Sequence, residues 1–161
     1  METKKLTDDL KLNFENKIVE VTEQFGDDII VINKDALLGI ARFLKEKPYD
    51  FAMLLDLTCV DYQGRDPRFE MVYHFFSLSQ NKRLRIKVPL SESKLTISSL
   101  TPLWKNANWL EREVYDMFGV HFEGHPDLRR LFMYDEFEGY PLRKDYPLRK
   151  RQPIFHMRNE E

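Results

Sequence analysis

With a single cysteine, Cys59, in 161 residues, this chain cannot form an internal disulfide. No cysteine-ligated zinc or iron–sulfur centre can be built from it alone either, so a redox role would have to be exercised through partner chains. No uninterrupted apolar run approaches the roughly 20 residues of a membrane-spanning helix. The N-terminus, Met-Glu-Thr-Lys-Lys-Leu-Thr-Asp-Asp-Leu, lacks the apolar core of a signal peptide, and the chain reads as soluble and cytoplasmic. There is no Gly-x-Gly-x-x-Gly, no phosphate loop and no Gly-x-Ser-x-Gly, so no nucleotide or flavin site is visible. A net charge of −2 gives no general pull toward nucleic acid or an acidic membrane. Repeats and low-complexity segments are also missing.

What is present fits one domain of ordinary size. Hydrophobic residues make up 42%, charged residues 32% and aromatics 13%, which provides a core, with the aromatics either filling it or forming surface for a partner. Leu10, Phe14, Ile18, Val21 and Phe25 recur at steps of three and four, predicting a first helix from Asp8 to Phe25, with Thr7 as its cap and Gly26 as its stop. Asp28 to Ile32 is strand-like, and Asn33 caps a second helix from Lys34 to Lys47. Strands follow at Phe51–Val60, Phe69–Ser77 and Arg83–Val88, the last alternating strictly between apolar and basic. Leu100 to Phe118 is helical in period, with a fresh start possible at Asn106, and Val120 with Phe122 forms a short extended piece. The expected fold is α+β. Two N-terminal helices and a C-terminal helix pack on a mixed or antiparallel sheet of about four strands, followed by an extended C-terminal arm. The expected division is a domain over 1–134 and a docking arm over 135–161.

The densest chemistry lies between Trp109 and Leu131. On a helix, Arg112 and Asp116 are four apart and can pair, while Glu113 and Asp116 could form a like-charged couple. Paired carboxylates can perform general acid–base work, and a salt-bridged helix face is the alternative. Trp109, Tyr115 and Phe118 cannot all join the apolar stripe, which suggests a protein–protein contact. His121, Glu123 and His125 resemble a zinc motif only superficially, because Gly119, Gly124 and Pro126 oppose a helix; a hydrogen-bonded loop is preferred. Arg129 and Arg130 could clamp a phosphate, or Arg129 could pair with Glu111 or Glu113 and tie the loop to the helix. From Pro141 to Arg158, the basic residues Arg143, Lys144, Arg149, Lys150, Arg151 and Arg158 face one acid, Asp145, which suits an acidic protein face, single-stranded nucleic acid or simple solvation.

The pattern Glu111-Arg112-Glu113, Asp116-Met117-Phe118, Gly119, His125-Pro126-Asp127, Arg129-Arg130-Leu131 resembles the signature of the C-type subunit of respiratory complex I, the "30 kDa" family. Ala107-Asn108-Trp109 and Gly139-Tyr140-Pro141-Leu142-Arg143-Lys144-Asp145-Tyr146-Pro147-Leu148 extend the resemblance, with Tyr140 where His and Tyr146 where Phe would be usual. The resemblance implies a scaffold subunit of the hydrophilic arm of NADH:quinone oxidoreductase, peripheral on the cytoplasmic side of the inner membrane. FMN, iron–sulfur clusters and quinone would be held by neighbouring subunits and none by this chain. The implied partners are chiefly the D-type subunit of complex I, then the B-type subunit and other members of the hydrophilic arm, with no nucleic acid and no direct membrane contact. It implies no catalytic residue here: Glu111 to Leu131 form a structural knot. Trp109, Tyr115, Tyr140, Pro141, Arg143, Lys144, Asp145, Tyr146 and Pro147 dock the partner. Related complexes fed by hydrogen, ferredoxin or coenzyme F420 are the alternative setting.

Overall fold

The computed structural model describes residues 2–153, with side chains described from Leu6 onward. Arg158 and the end of the expected arm lie outside them. The chain runs α1 (Glu2–Phe14), β1 (Ile18–Gln24), β2 (Asp27–Ile32), α2 (Leu37–Lys45), β3 (Met53–Asp61), β4 (Phe69–Ser77), β5 (Lys82–Leu90), β6 (Thr96–Ser98), α3 (Ala107–Phe118) and β7 (His121–Glu123). The main sheet has five strands in the order β1-β2-β5-β4-β3. β2 and β5 are parallel and the other neighbours antiparallel, so the sheet is mixed. A short parallel pair, β6 with β7, stands apart.

One strand is hidden from periodicity. Ile18, Val21 and Phe25 do fall at helical steps, yet Ile18-Val19-Glu20-Val21-Thr22 is rich in β-branched residues, and this preference wins. The chain then turns through Phe25 (φ 55°) and Gly26 (φ 84°), two left-handed residues that match the twist of an antiparallel hairpin pairing Gln24 with Asp27. The first helix therefore ends at Phe14, and Thr7 lies inside it. Gly26 serves a hairpin rather than a helix end.

The period-2 pattern of the middle strands decides the layering. Phe69, Met71, Tyr73 and Phe75 of β4 and Leu84, Ile86 and Val88 of β5 are fully buried. Leu6 and Leu10 of α1, Leu37, Ile40 and Leu44 of α2, and Ala107, Val114 and Met117 of α3 join them in one core. Burying each large side chain stabilises by about 1.5–3 kcal/mol. Arg83, Arg85 and Lys87 alternate to the other, partly open face.

The expected helix from Leu100 breaks into turns. The Trp104 indole N–H donates to the Ala52 carbonyl (3.1 Å), and the Asn106 amide donates to the Leu54 carbonyl (2.7 Å). Those bonds fasten the loop to β3, and the helix starts afresh at Ala107. Asn106 thus anchors the strand and makes no side-chain cap. Asn33 likewise makes no side-chain cap, and a 3-10 turn over Lys34–Ala36 leads into α2.

Candidate functional site

Gly119 ends α3 in the left-handed conformation (φ 76°), and its N–H bonds the Tyr115 carbonyl. This stop turns the chain into β7 and leaves the last two turns of α3 facing the loop beyond it. Three polar side chains of α3 are buried: Glu111, Arg112 and Asp116. Each has a different set of partners.

Asp116 is the centre. One carboxylate oxygen accepts the backbone N–H groups of Leu131 (3.0 Å), Phe132 (2.7 Å) and Met133 (2.9 Å). The other accepts from the Arg130 guanidinium at 2.7 Å. Burial alone would raise its pKa, but these four donors outweigh burial and hold it below the usual carboxylate range. Arg130 reaches onward to the carbonyls of Phe137 (3.0 Å) and Gly139 (3.2 Å). A single ion pair thus fastens helix, loop and the start of the arm.

Arg112 points the other way along the loop and donates to the carbonyls of Arg129 and Arg130, both at 3.1 Å, while its guanidinium stacks on Trp109. His125 accepts the Asp127 N–H at Nδ1 (3.0 Å), which leaves Nε2 to donate to the Asn108 carbonyl (3.1 Å). It is a loop brace, matching the hydrogen-bonded reading. Among the described residues no three His, Cys, Asp or Glu side chains cluster as a metal site.

Glu111 is fully buried elsewhere, under the β6–α3 connection. The Leu100 N–H (2.6 Å) and the Ser99 hydroxyl (2.7 Å) donate to it. Burial raises its pKa to about 7 despite both donors, because no cation neutralises it.

Several pairings expected from spacing are replaced. Arg112 does not pair with Asp116, because backbone carbonyls take it and Arg130 takes the acid. Arg129 pairs with neither Glu111 nor Glu113; it is exposed and bonds Asp127 at 3.0 Å. Glu113 is exposed, so the Glu113–Asp116 couple is split between solvent and interior. The acids therefore do not converge on one open pocket.

The residues assigned to docking divide. Trp109 is about 60% exposed, whereas Tyr115 packs partly against the core; Phe132, not among the assigned residues, is as exposed as Trp109. Tyr140 and Arg143 close over Gly119: Arg143 donates to the Phe118 carbonyl (2.7 Å) and stacks on Phe69 and Tyr140. Asp145 pairs with Arg68 (2.9 Å), and the Lys144 N–H donates to Asp61 (2.8 Å). Tyr146 stacks on Phe137. The expected extended arm therefore folds back on its own domain over residues 137–146. Its side chains at Pro141, Lys144, Pro147 and Leu148 stay partly or fully exposed.

The anchor for Asp145 is absent from the sequence reading. Arg68 is buried and grips Asp61 with two 2.8 Å bonds, and it also bonds Glu92 at 2.7 Å. The bond to Arg68 is the main reason the pKa of both Asp61 and Asp145 is lowered. The available signal is an acid and a base flanking one hairpin loop, as Asp61 and Arg68 do. Ser99 and Leu100, the partners of Glu111, carry no comparable signal.

A methyl group on Gly119 would stand 2.5 Å from the Tyr140 ring and 2.8 Å from Arg143. Gly119→Ala is therefore expected to push Tyr140 away and to add about 1 kcal/mol of backbone strain. Limited trypsin digestion should cut faster after Arg143 or Lys144. Unchanged cleavage would mean the arm does not depend on this contact.

Residues 30–152 match the family model described as "Respiratory-chain NADH dehydrogenase, 30 Kd subunit". The chain is 46% identical over 139 residues to the C-type subunit of NADH-quinone oxidoreductase from Geotalea uraniireducens, covering 86% of this chain and 84% of that protein. It is 44% identical over 140 residues to the protein of the same name in Geobacter sulfurreducens, covering 86% of each. Among solved structures, the trypsin-resistant fragment (1-134) of Nqo5 aligns with a TM-score of 0.70 at 29% identity, over 80% of this chain and all of that one. A chain of an archaeal membrane-bound sulfane sulfur reductase shares the fold, with a TM-score of 0.76 at 22% identity over 92% of this chain and 87% of that one. The chain belongs to the family of the 30 kDa subunit of respiratory-chain NADH dehydrogenase, the C-type subunit of NADH-quinone oxidoreductase.

Proposed function

We infer that this chain works as a non-catalytic scaffold in an NADH:quinone oxidoreductase that carries electrons from NADH through FMN and iron–sulfur clusters to quinone and moves protons. The observation that carries this reading is the use made of the signature residues within a family match over residues 30–152. Asp116, Arg130 and Arg112 spend their hydrogen bonds on the chain's own backbone, which favours a shape-holding role over a reacting one.

The proposed docking surface is the exposed rim of this knot, Trp109 and Phe132, together with the outer edge of the arm at Pro141, Lys144, Pro147 and Leu148. The D-type subunit of complex I is the proposed main partner, with the B-type subunit and other hydrophilic-arm neighbours beside it. FMN, iron–sulfur clusters and quinone are assigned to those partners. No described helix is long and apolar enough to cross a membrane, which suits a peripheral place on the cytoplasmic side of the inner membrane. The relatives' names favour NADH over hydrogen, ferredoxin or coenzyme F420 as the donor.

The test is gentle-detergent purification of the complex through a tag on the full chain. Homologues of the D-type and B-type partners should co-purify with NADH:quinone activity, and Trp109→Glu should lower their recovery severalfold while leaving the melting temperature of the isolated chain within about 2 °C, as expected at an exposed position. Recovery of the chain without those partners would overturn the reading.

A further inference from the structure

The two edges of the main sheet differ. At β3 the chain partly covers itself: the Asn106 side chain bonds the Leu54 carbonyl, Trp104 bonds Ala52 just before the strand, and the Lys144 N–H bonds the Asp61 carboxylate at its end. At β1, among the described residues, no strand pairs on the far side. An uncovered edge presents a row of unpaired N–H and C=O groups to any extended chain.

β1 also lacks most of the guards that keep edges single. It holds no proline and no lysine, and its one irregularity lies between Ile18 and Glu20, leaving Glu20–Gln24 in regular register. Beside it, between α1 and β1, runs a cleft of about 560 Å³. Leu12 (83% exposed) and Val19 (62% exposed) give this cleft an apolar surface. Its charges are Asp8, Glu15 and Glu20 against a single base, Lys11.

We propose that β1 is a strand-addition site for a partner protein, taking as a sixth strand an extended segment in which lysine or arginine alternates with valine, isoleucine or leucine. Backbone bonding along Glu20–Gln24 would supply affinity, and alternate side chains would supply specificity. By the alternation of β1, cations of the incoming strand would lie on the Glu20 face, and its apolar residues on the opposite face beside Val21. A second copy of this chain is a poor occupant, because two β1 strands would bring Glu20 and Glu23 of one copy near those of the other. The matched family segment begins at residue 30, after β1, so the proposal does not rest on the scaffold reading.

The probes are two short acetylated peptides on the isolated full chain, one alternating lysine with valine and one alternating glutamate with valine. The lysine peptide should slow amide hydrogen exchange within Ile18–Gln24 and bind at least about tenfold tighter than the glutamate peptide at low salt. The double variant Glu20→Lys, Glu23→Lys changes exposed side chains only, and its melting curve checks that it folds. It should lose or reverse the preference. The proposal is overturned if protection falls outside β1, if both peptides bind equally or not at all, if the folded variant keeps the wild-type preference, or if the chain instead dimerises through β1.

Discussion

Asp116→Ala is expected to cost about 3–5 kcal/mol of stability. The substitution leaves the Arg130 guanidinium, half in the interior, without its acid, and strips three consecutive backbone N–H groups at Leu131, Phe132 and Met133 of their acceptor. Breaking a buried pair by removing one partner typically costs that much, because an uncompensated charge remains. For a chain of this length the melting temperature should fall by about 10 °C. Asp116→Asn keeps the shape but loses the charge and should fall between the two. The loop from Arg130 to Gly139 should become the first region to exchange its amide protons. A variant that melts within about 1 °C of wild type would show that the four contacts carry little.

Glu111 should give the opposite pH signature from Asp61, Asp116 and Asp145. Its folded pKa of about 7 lies above the ordinary value of 4.5. The folded state therefore holds the proton more tightly than the unfolded state. Stability from this group is fully present below about pH 4.5 and is lost as pH rises through 7, a change of about 3 kcal/mol. The three aspartates are depressed, so their contributions are present at neutral pH and lost on acidification through their folded pKa values. The difference between wild type and Glu111→Gln isolates Glu111. The amide keeps both bonds, accepting from Leu100 and donating to Ser99, without a charge to bury. Urea unfolding from pH 5 to 8 should show the variant nearly matching wild type at pH 5 and exceeding it by about 2–3 kcal/mol at pH 8, with the same m-value. Parallel profiles would mean that Glu111 stays ionised in the folded chain.

Much of the fold is legible in residue order. β4 and β2 stand out because β-branched and aromatic residues run in short blocks between turn residues. α3 stands out through its apolar steps and through Gly119. β1 does not, because three apolar residues at helical spacing mask a β-branched run, and the hairpin turn at Phe25-Gly26 has the spelling of a helix stop. The difference lies in the turn: Phe25 at φ 55° is costly for any residue other than glycine and persists only because strands on both sides hold it.

At the candidate site the residue types are legible and the pairings are not. Spacing along α3 favours Arg112 with Asp116. Tertiary structure overrides it, because Arg130 and three N–H groups offer Asp116 four bonds at once while the loop carbonyls at Arg129 and Arg130 need donors. The arm reads as extended because its prolines and charges show no period. Arg68 and Gly119 give it a place to lie, and both act across more than 20 residues of sequence.

The most direct measurement compares assembly with turnover in the purified membrane complex carrying Asp116→Asn. The amount of intact complex per cell should fall, while NADH:quinone turnover per assembled complex stays at the wild-type value, because the residue shapes a scaffold. Full assembly with turnover per complex lowered tenfold or more would contradict a structural role and place Asp116 in the chemistry.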